Sequence, residues 1–175
     1  MQTRKVTVVP YDASWKTAFC HIKKEIEAAL GDLAVGIEHV GSTSVEGMWA
    51  KPCIDLDVII QDNSVLEEVV ARLAAIGYIH EGDLGICGRE AFAYSGKEHL
   101  QWHHLYVCPA DSAELHRHLT FRNFLRSHSD AAAQYSRVKE TAATLYPDSI
   151  DKYIEYKSSC VEAIYKMCGL TVDAP

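Results

Sequence analysis

No apolar run in these 175 residues reaches the length of a membrane-spanning helix, about 18 residues, so no membrane span is expected. The opening MQTRKVTVVPYD lacks the long apolar stretch of a secretory signal, which points to a cytoplasmic protein. None of the six cysteines, at 20, 53, 87, 108, 160 and 168, forms a C-x-x-C pair. Several sit inside apolar runs, as Cys53, Cys108 and Cys168 do. They read as reduced, small core residues rather than as a disulfide framework. There is no basic excess either. A net charge of −7 leaves no global positive field to gather nucleic acid, which argues against a DNA- or RNA-binding module. A nucleotide stays open, because a metal can meet its charge. Internal repeats and long linkers are also missing.

What is present suits a folded domain. The hydrophobic fraction of 48% is enough for a core, and the length fits one domain over residues 1–175. The expected layout is a mixed α/β core at 1–110 with a helical part at 111–175 packed on it. Residues 5–9 are a β-prone run stopped by Pro10. Trp15, Phe19, Ile22, Ile26 and Leu30 then recur at helical spacing, with Asp12 or Ser14 as N-cap and Gly31 past the end. Residues 35–40 and 53–60 read as strands, and the glycine- and serine-rich stretch 41–52 as a loop or short helix. Ser64 with Glu67 forms a capping-box pattern ahead of the stripe Val65, Leu66, Val69, Val70, Leu73 and Ile76, with Gly77 at its C-terminal end. Segment 82–88 reads as a loop, and 90–95 and 101–107 as strands. Three helices follow. The first is capped by Asp111 with Glu114 and the second by Ser129. The third starts at Pro147–Asp148, carries Ile150, Ile154, Val161, Ile164 and Tyr165, and ends at Gly169.

The stretch IEHVGSTSVEGMWAKPCIDLDVII, residues 37–60, carries the chemistry. Gly41 lets the backbone turn sharply and approach a ligand. Ser42, Thr43 and Ser44 offer hydroxyls and N–H groups at a helix start, where phosphates bind. On the next strand Asp55 and Asp57 stand at i and i+2, so both carboxylates share a face. Two such charges call for a compensating cation. Hard oxygen ligands suit Mg²⁺, which also binds substrate phosphates. A D-x-D alone would be an ordinary solvated strand face; the Gly-Ser turn before it, between two strands, makes the pair specific.

This order resembles the DNA polymerase beta-type nucleotidyltransferase superfamily, and EHVGSTSVEGMWAKPCIDLDV closely resembles the GrpB family. The resemblance runs over nearly the whole chain: VVPYDASW at the start, Arg89 with Phe92, HHLYV, FRNFLRSHSDAAAQYSRVK, and Tyr153 with Lys157. It implies a nucleotidyltransferase-like mixed β-sheet with flanking helices and a helical C-terminal half. It also implies that Gly41, Ser42 and Thr43 contact nucleotide phosphates, that Asp55 and Asp57 ligate Mg²⁺ or Mn²⁺, and that Lys51, Arg122 and Lys157 meet anionic charge. The module is in some proteins fused to dephospho-coenzyme A kinase. Two departures stand out. The superfamily's third carboxylate is missing: the strand reads His103–His104–Leu105–Tyr106–Val107. That leaves His104 as ligand or base, with Glu90 as an alternative acid. And Glu46–Gly47 replaces the family's Pro-Gly, a change for the loop rather than the chemistry.

Other basic residues have a bland reading. Arg126 and Lys139 suit solvated helix faces as well as an anion pocket. A zinc site among His99, His103 and His104 lacks a familiar ligand spacing, and His116 and His118 diverge on a helix. The expected function is Mg²⁺-dependent transfer of a nucleotidyl group from a nucleoside triphosphate to an acceptor the sequence does not identify. Two rivals remain: a non-catalytic module binding a nucleotide or a coenzyme A-like anion, and a metal-assisted phosphohydrolase with His104 as base.

Overall fold

Period-two burial decides the sheet. In the computed structural model, which describes residues 5–171, strand β2 (Ile54–Ile60) buries Ile54, Leu56, Val58 and Ile60 completely on one face. Asp55 and Asp57 look to the other. Residues 1–4 and 172–175, the ends of the expected domain span, lie outside the described residues. Four more strands join β2: β1 (Gly36–Val40), β3 (Tyr78–Gly82), β4 (Glu90–Tyr94) and β5 (His103–Pro109). Their spatial order is β1-β2-β5-β4-β3. β2 and β5 run parallel, and the other neighbours are antiparallel. The parallel register sets Asp55 beside His104 and Asp57 beside Tyr106.

Helices cover both faces. α1 (Ser14–Leu30) and α2 (Leu66–Ala75) lie on the apolar face. There Trp15, Ile22, Ile26, Leu30, Val69 and Leu73 pack with the buried row of β2 and with Leu105 and Val107. Three helices, α3 (Ala113–Ser127), α4 (Ser129–Leu145) and α5 (Ile150–Met167), form a second cluster around Val45, Met48, Leu125, Tyr135 and Ile164. Two arginines of α3 tie it to the sheet side. Arg122 Nη1 donates to Glu38 Oε2 at 2.6 Å and to the His39 carbonyl at 3.0 Å. Arg126 donates twice to the Ser44 carbonyl, at 3.0 and 2.9 Å. No helix among the described residues is long and apolar enough to cross a membrane.

Several local expectations need correction. Residues 5–9 form no strand: Val9 makes an isolated bridge with Ala50, and the Val6 N–H goes to the Pro147 carbonyl. The run is β-prone but has no neighbouring strand to complete a ladder. β3 is an additional strand that the sequence pattern does not announce, because Tyr78–Ile79–His80 is short and follows the helix directly. α2 is preceded by a 3₁₀ turn, Asn63–Val65, so the capping oxygen belongs to Asp62, which accepts from Ser64 N at 2.8 Å, and not to Ser64. On α3 the cap is Ser112 rather than Asp111. Ser129 is already helical, and α4 starts with no side-chain cap. α5 begins at Ile150, behind a Ser149 cap. It turns Tyr153 and Ile164 inward, leaving Ile150 and Ile154 exposed. The cysteines divide as well: Cys53 and Cys108 are buried, but Cys20 and Cys87 are exposed.

Candidate functional site

The turn after β1 is held tightly against β2. Gly41 adopts φ 71°, and a Cβ built there would strike the Asp55 carboxylate. Glycine is therefore required twice, by conformation and by space. A 3₁₀ turn follows at Ser42–Ser44. Ser44 Oγ donates back to the Gly41 carbonyl at 2.5 Å. Thr43 is turned inward: its Oγ1 donates to the Cys53 carbonyl at 3.2 Å and lies 2.9 Å from His39 Nε2. Burial, together with the nearby arginines, pulls the His39 imidazole down to about 4, so it stays neutral beside that hydroxyl.

Each aspartate meets a histidine. His104 Nδ1 lies 2.8 Å from Asp55 Oδ1, and His118 Nδ1 lies 2.7 Å from Asp57 Oδ2. Asp57 is fully buried, and its Oδ1 has no hydrogen-bond partner. Burial works against charging His118, but the hydrogen bond and charge of Asp57, helped by Glu114, hold its pKa above the usual histidine range. His118 was missed by sequence reasoning, since nothing local marks it. The one available signal was topological: α3 follows β5 at once, which brings its early turns over Asp57. Cys53, expected as an inert core residue, also belongs here. One ligand atom each from Cys53, Asp55 and His104 lie within 4.8 Å of one another. The two carboxylates and the unpartnered Asp57 Oδ1 fit a hard cation such as Mg²⁺ or Mn²⁺. A thiol and an imidazole beside Asp55 add the donor types that borderline ions such as Zn²⁺ prefer.

Beside Asp55 a cavity of about 260 Å³ opens between the sheet and the helices. Gly41, Ser42, Thr43, Asp55 and His104 line it together with three lysines, Lys51, Lys139 and Lys157. Lys139 is 2% exposed, and its Nζ has no hydrogen-bond partner. Burial and the neighbouring Lys157 lower its pKa to about 7. Burial and Lys51 lower Lys157 to about 8. Three cations converging on one cavity, one of them buried and unpaired, ask for an anion of several charges. By sequence Lys139 suits a solvated helix face as well as an anion pocket; in the structure it is buried in the cavity lining, its Nζ 4.5 Å from the centre of the Tyr135 ring one turn back on α4. Not every expected residue reaches the cavity. Arg122 is engaged by Glu38 and His39 instead. Arg126 secures the Ser44 carbonyl. Glu90 pairs with His80 at 2.6 Å and, at the register of Val107, sits off the Asp55 row.

A family model described as GrpB protein matches residues 5–167. UPF0157 protein YqkA of Bacillus subtilis is 32% identical over 159 residues, covering 91% of this chain but 46% of the relative. This chain therefore spans about half the length of that protein. The crystal structure of conserved protein GrpB from Enterococcus faecalis superposes with a TM-score of 0.83 at 32% identity, covering 93% of this chain and 96% of that one. A Cid1 poly(U) polymerase structure bound to MgATP gives a TM-score of 0.54 at 10% identity, over 75% of this chain and 42% of that one. At that identity the likeness speaks to the fold, which is nucleotidyltransferase-like. A dephospho-CoA kinase of Mycolicibacterium paratuberculosis is 26% identical over 185 residues, covering 92% of this chain and 45% of the relative.

Proposed function

The chain belongs to the GrpB family, and from that premise we propose that it binds a nucleoside triphosphate with a divalent cation and transfers the nucleotidyl group to a small acceptor. The observation that carries this reading is the convergence of Lys51, Lys139 and Lys157 on the cavity that also holds the Gly41–Ser42 turn and Asp55. A triphosphate supplies the several negative charges those lysines lack. The N–H groups of the tight turn and the Ser42 hydroxyl complete its coordination. Asp55 and Asp57 would hold the cation, which neutralises charge on the reacting phosphate when bound. His104, whose Nδ1 faces Asp55, keeps its other ring nitrogen for the proton of the acceptor hydroxyl. In the transfer the acceptor oxygen bonds to phosphorus while the bond to pyrophosphate breaks. The lysines hold the departing charge, so positioning and electrostatics carry the catalysis.

One observation favours a second reading, a binding module without turnover. Asp55 is the one carboxylate among the residues lining the two cavities described for this cleft, and Asp57 is fully buried on His118. A metal at Asp57 has only Oδ1 to bind unless that pair opens.

The first experiment is a thermal-shift titration with ATP, GTP, CTP and UTP, with and without Mg²⁺, on the wild type, Asp55→Asn and Lys139→Met. A ligand that binds the native state raises Tm. A Mg²⁺-dependent rise that Asp55→Asn abolishes is expected. Binding without turnover in a subsequent acceptor screen selects the second reading, and no rise with any triphosphate ends both.

A further inference from the structure

Past Asp55 the cleft continues into a second cavity of about 200 Å³. It shares Gly41, Asp55 and Phe121 with the lysine cavity, so the two meet at the same carboxylate. Its character is different. In place of lysines it presents Arg89, stacked on the Tyr106 ring at 4.2 Å, and Arg117, 5.6 Å over Tyr165. Arg117 Nε is held by Glu114 at 3.2 Å. Arg89 Nε is buried and has no hydrogen-bond partner. A guanidinium cannot shed its charge to relieve such burial, and its edge matches the planar fork of a carboxylate or phosphate. The ring contact with Tyr106 gives the buried Nε–H no in-plane acceptor. Three aromatic rings, Tyr106, Phe121 and Tyr165, line it too, with Val40 and His118 beside them. Rings of this kind receive a flat partner by stacking or edge contact.

We propose that this second cavity binds a flat small-molecule anion, a ring bearing a carboxylate or phosphate, with the anionic group on Arg89 and the ring among Tyr106, Phe121 and Tyr165. Its placement makes that molecule the acceptor, since it would reach Asp55 from a cavity that adjoins the triphosphate's at that residue. The acceptor role rests on the function proposed above; the binding of a flat anion does not.

The test uses neither metal nor nucleotide. Phenyl phosphate, benzoate, cyclohexyl phosphate and inorganic phosphate are titrated calorimetrically into the full chain. Saturable binding of phenyl phosphate or benzoate is expected, with the non-aromatic probes at least about tenfold weaker, and the tighter of the two names the anionic group. Arg89→Gln should lose at least about tenfold, whereas Lys139→Met should keep the preference for phenyl over cyclohexyl phosphate. Should Arg89→Gln not fold, Tyr165→Leu decides, through loss of the preference for phenyl over cyclohexyl phosphate. No saturable binding of either aromatic probe at millimolar concentration overturns the proposal. So does binding that survives Arg89→Gln or Tyr165→Leu but disappears in Lys139→Met, because the anion would then lie among the lysines. Phenyl phosphate binding in a protein that ignores every triphosphate would uphold the flat-anion cavity and remove only the transferase.

Discussion

At Gly41 a left-handed turn and the Asp55 carboxylate compete for the space of one methyl group. Gly41→Ala should therefore lower stability by about 1–3 kcal/mol and weaken triphosphate binding; urea unfolding and calorimetry measure the two losses. Lys139 presents the opposite trade. Its buried ammonium is disfavoured in the folded protein, where it lies over the Tyr135 ring without a hydrogen-bond partner until a ligand supplies one. Lys139→Met, of similar length and apolar, should raise Tm while removing triphosphate affinity. The same residue sets a pH dependence. Its pKa of about 7 in the folded chain lies below the ordinary 10.5, so between those values the unfolded state holds more protons. Its penalty on folding thus grows as pH falls from about 10.5 to about 7 and is constant below. A bound triphosphate restores the charge, so binding should take up a proton and weaken as pH is raised above 7. Calorimetry in two buffers of different ionisation enthalpy counts that proton.

Elements position these residues more than local propensity does. β2 is legible because its alternation is strict, and the Gly-Ser turn and D-x-D stood out for the same reason: all lie within one stretch, residues 37–60. His118 was not legible, because its pairing with Asp57 spans 61 residues and depends on α3 lying over the sheet. Lys139 was hidden for a related reason. α4 carries so many alanines and polar residues that its inward face cannot be told from its outward one until α5 packs beside it. Arg126 offers an element-scale prediction. It touches neither cavity, yet its two hydrogen bonds to the Ser44 carbonyl brace the turn against α3. Arg126→Ala should cost about 1–3 kcal/mol and lower triphosphate affinity without removing any cavity-lining group. Thermal denaturation alongside ligand titration would separate that bracing from a direct contact.

Across the whole molecule the helical half completes the site rather than merely covering it. Lys139 and Lys157 come from α4 and α5, while the turn and the aspartates come from the sheet. One cooperative unit is accordingly expected: far- and near-ultraviolet circular dichroism should report a single coincident transition, and two separate transitions would contradict it. The parallel pairing of β2 with β5 has a further consequence. It brings together Asp55 and His104 across 49 residues of chain, a long loop to close before any contact rewards it. Pairings of that kind are slow to form. In a refolding experiment, recovery of ligand binding should lag behind recovery of helix, so competence to bind would serve as a clock for the last step of assembly.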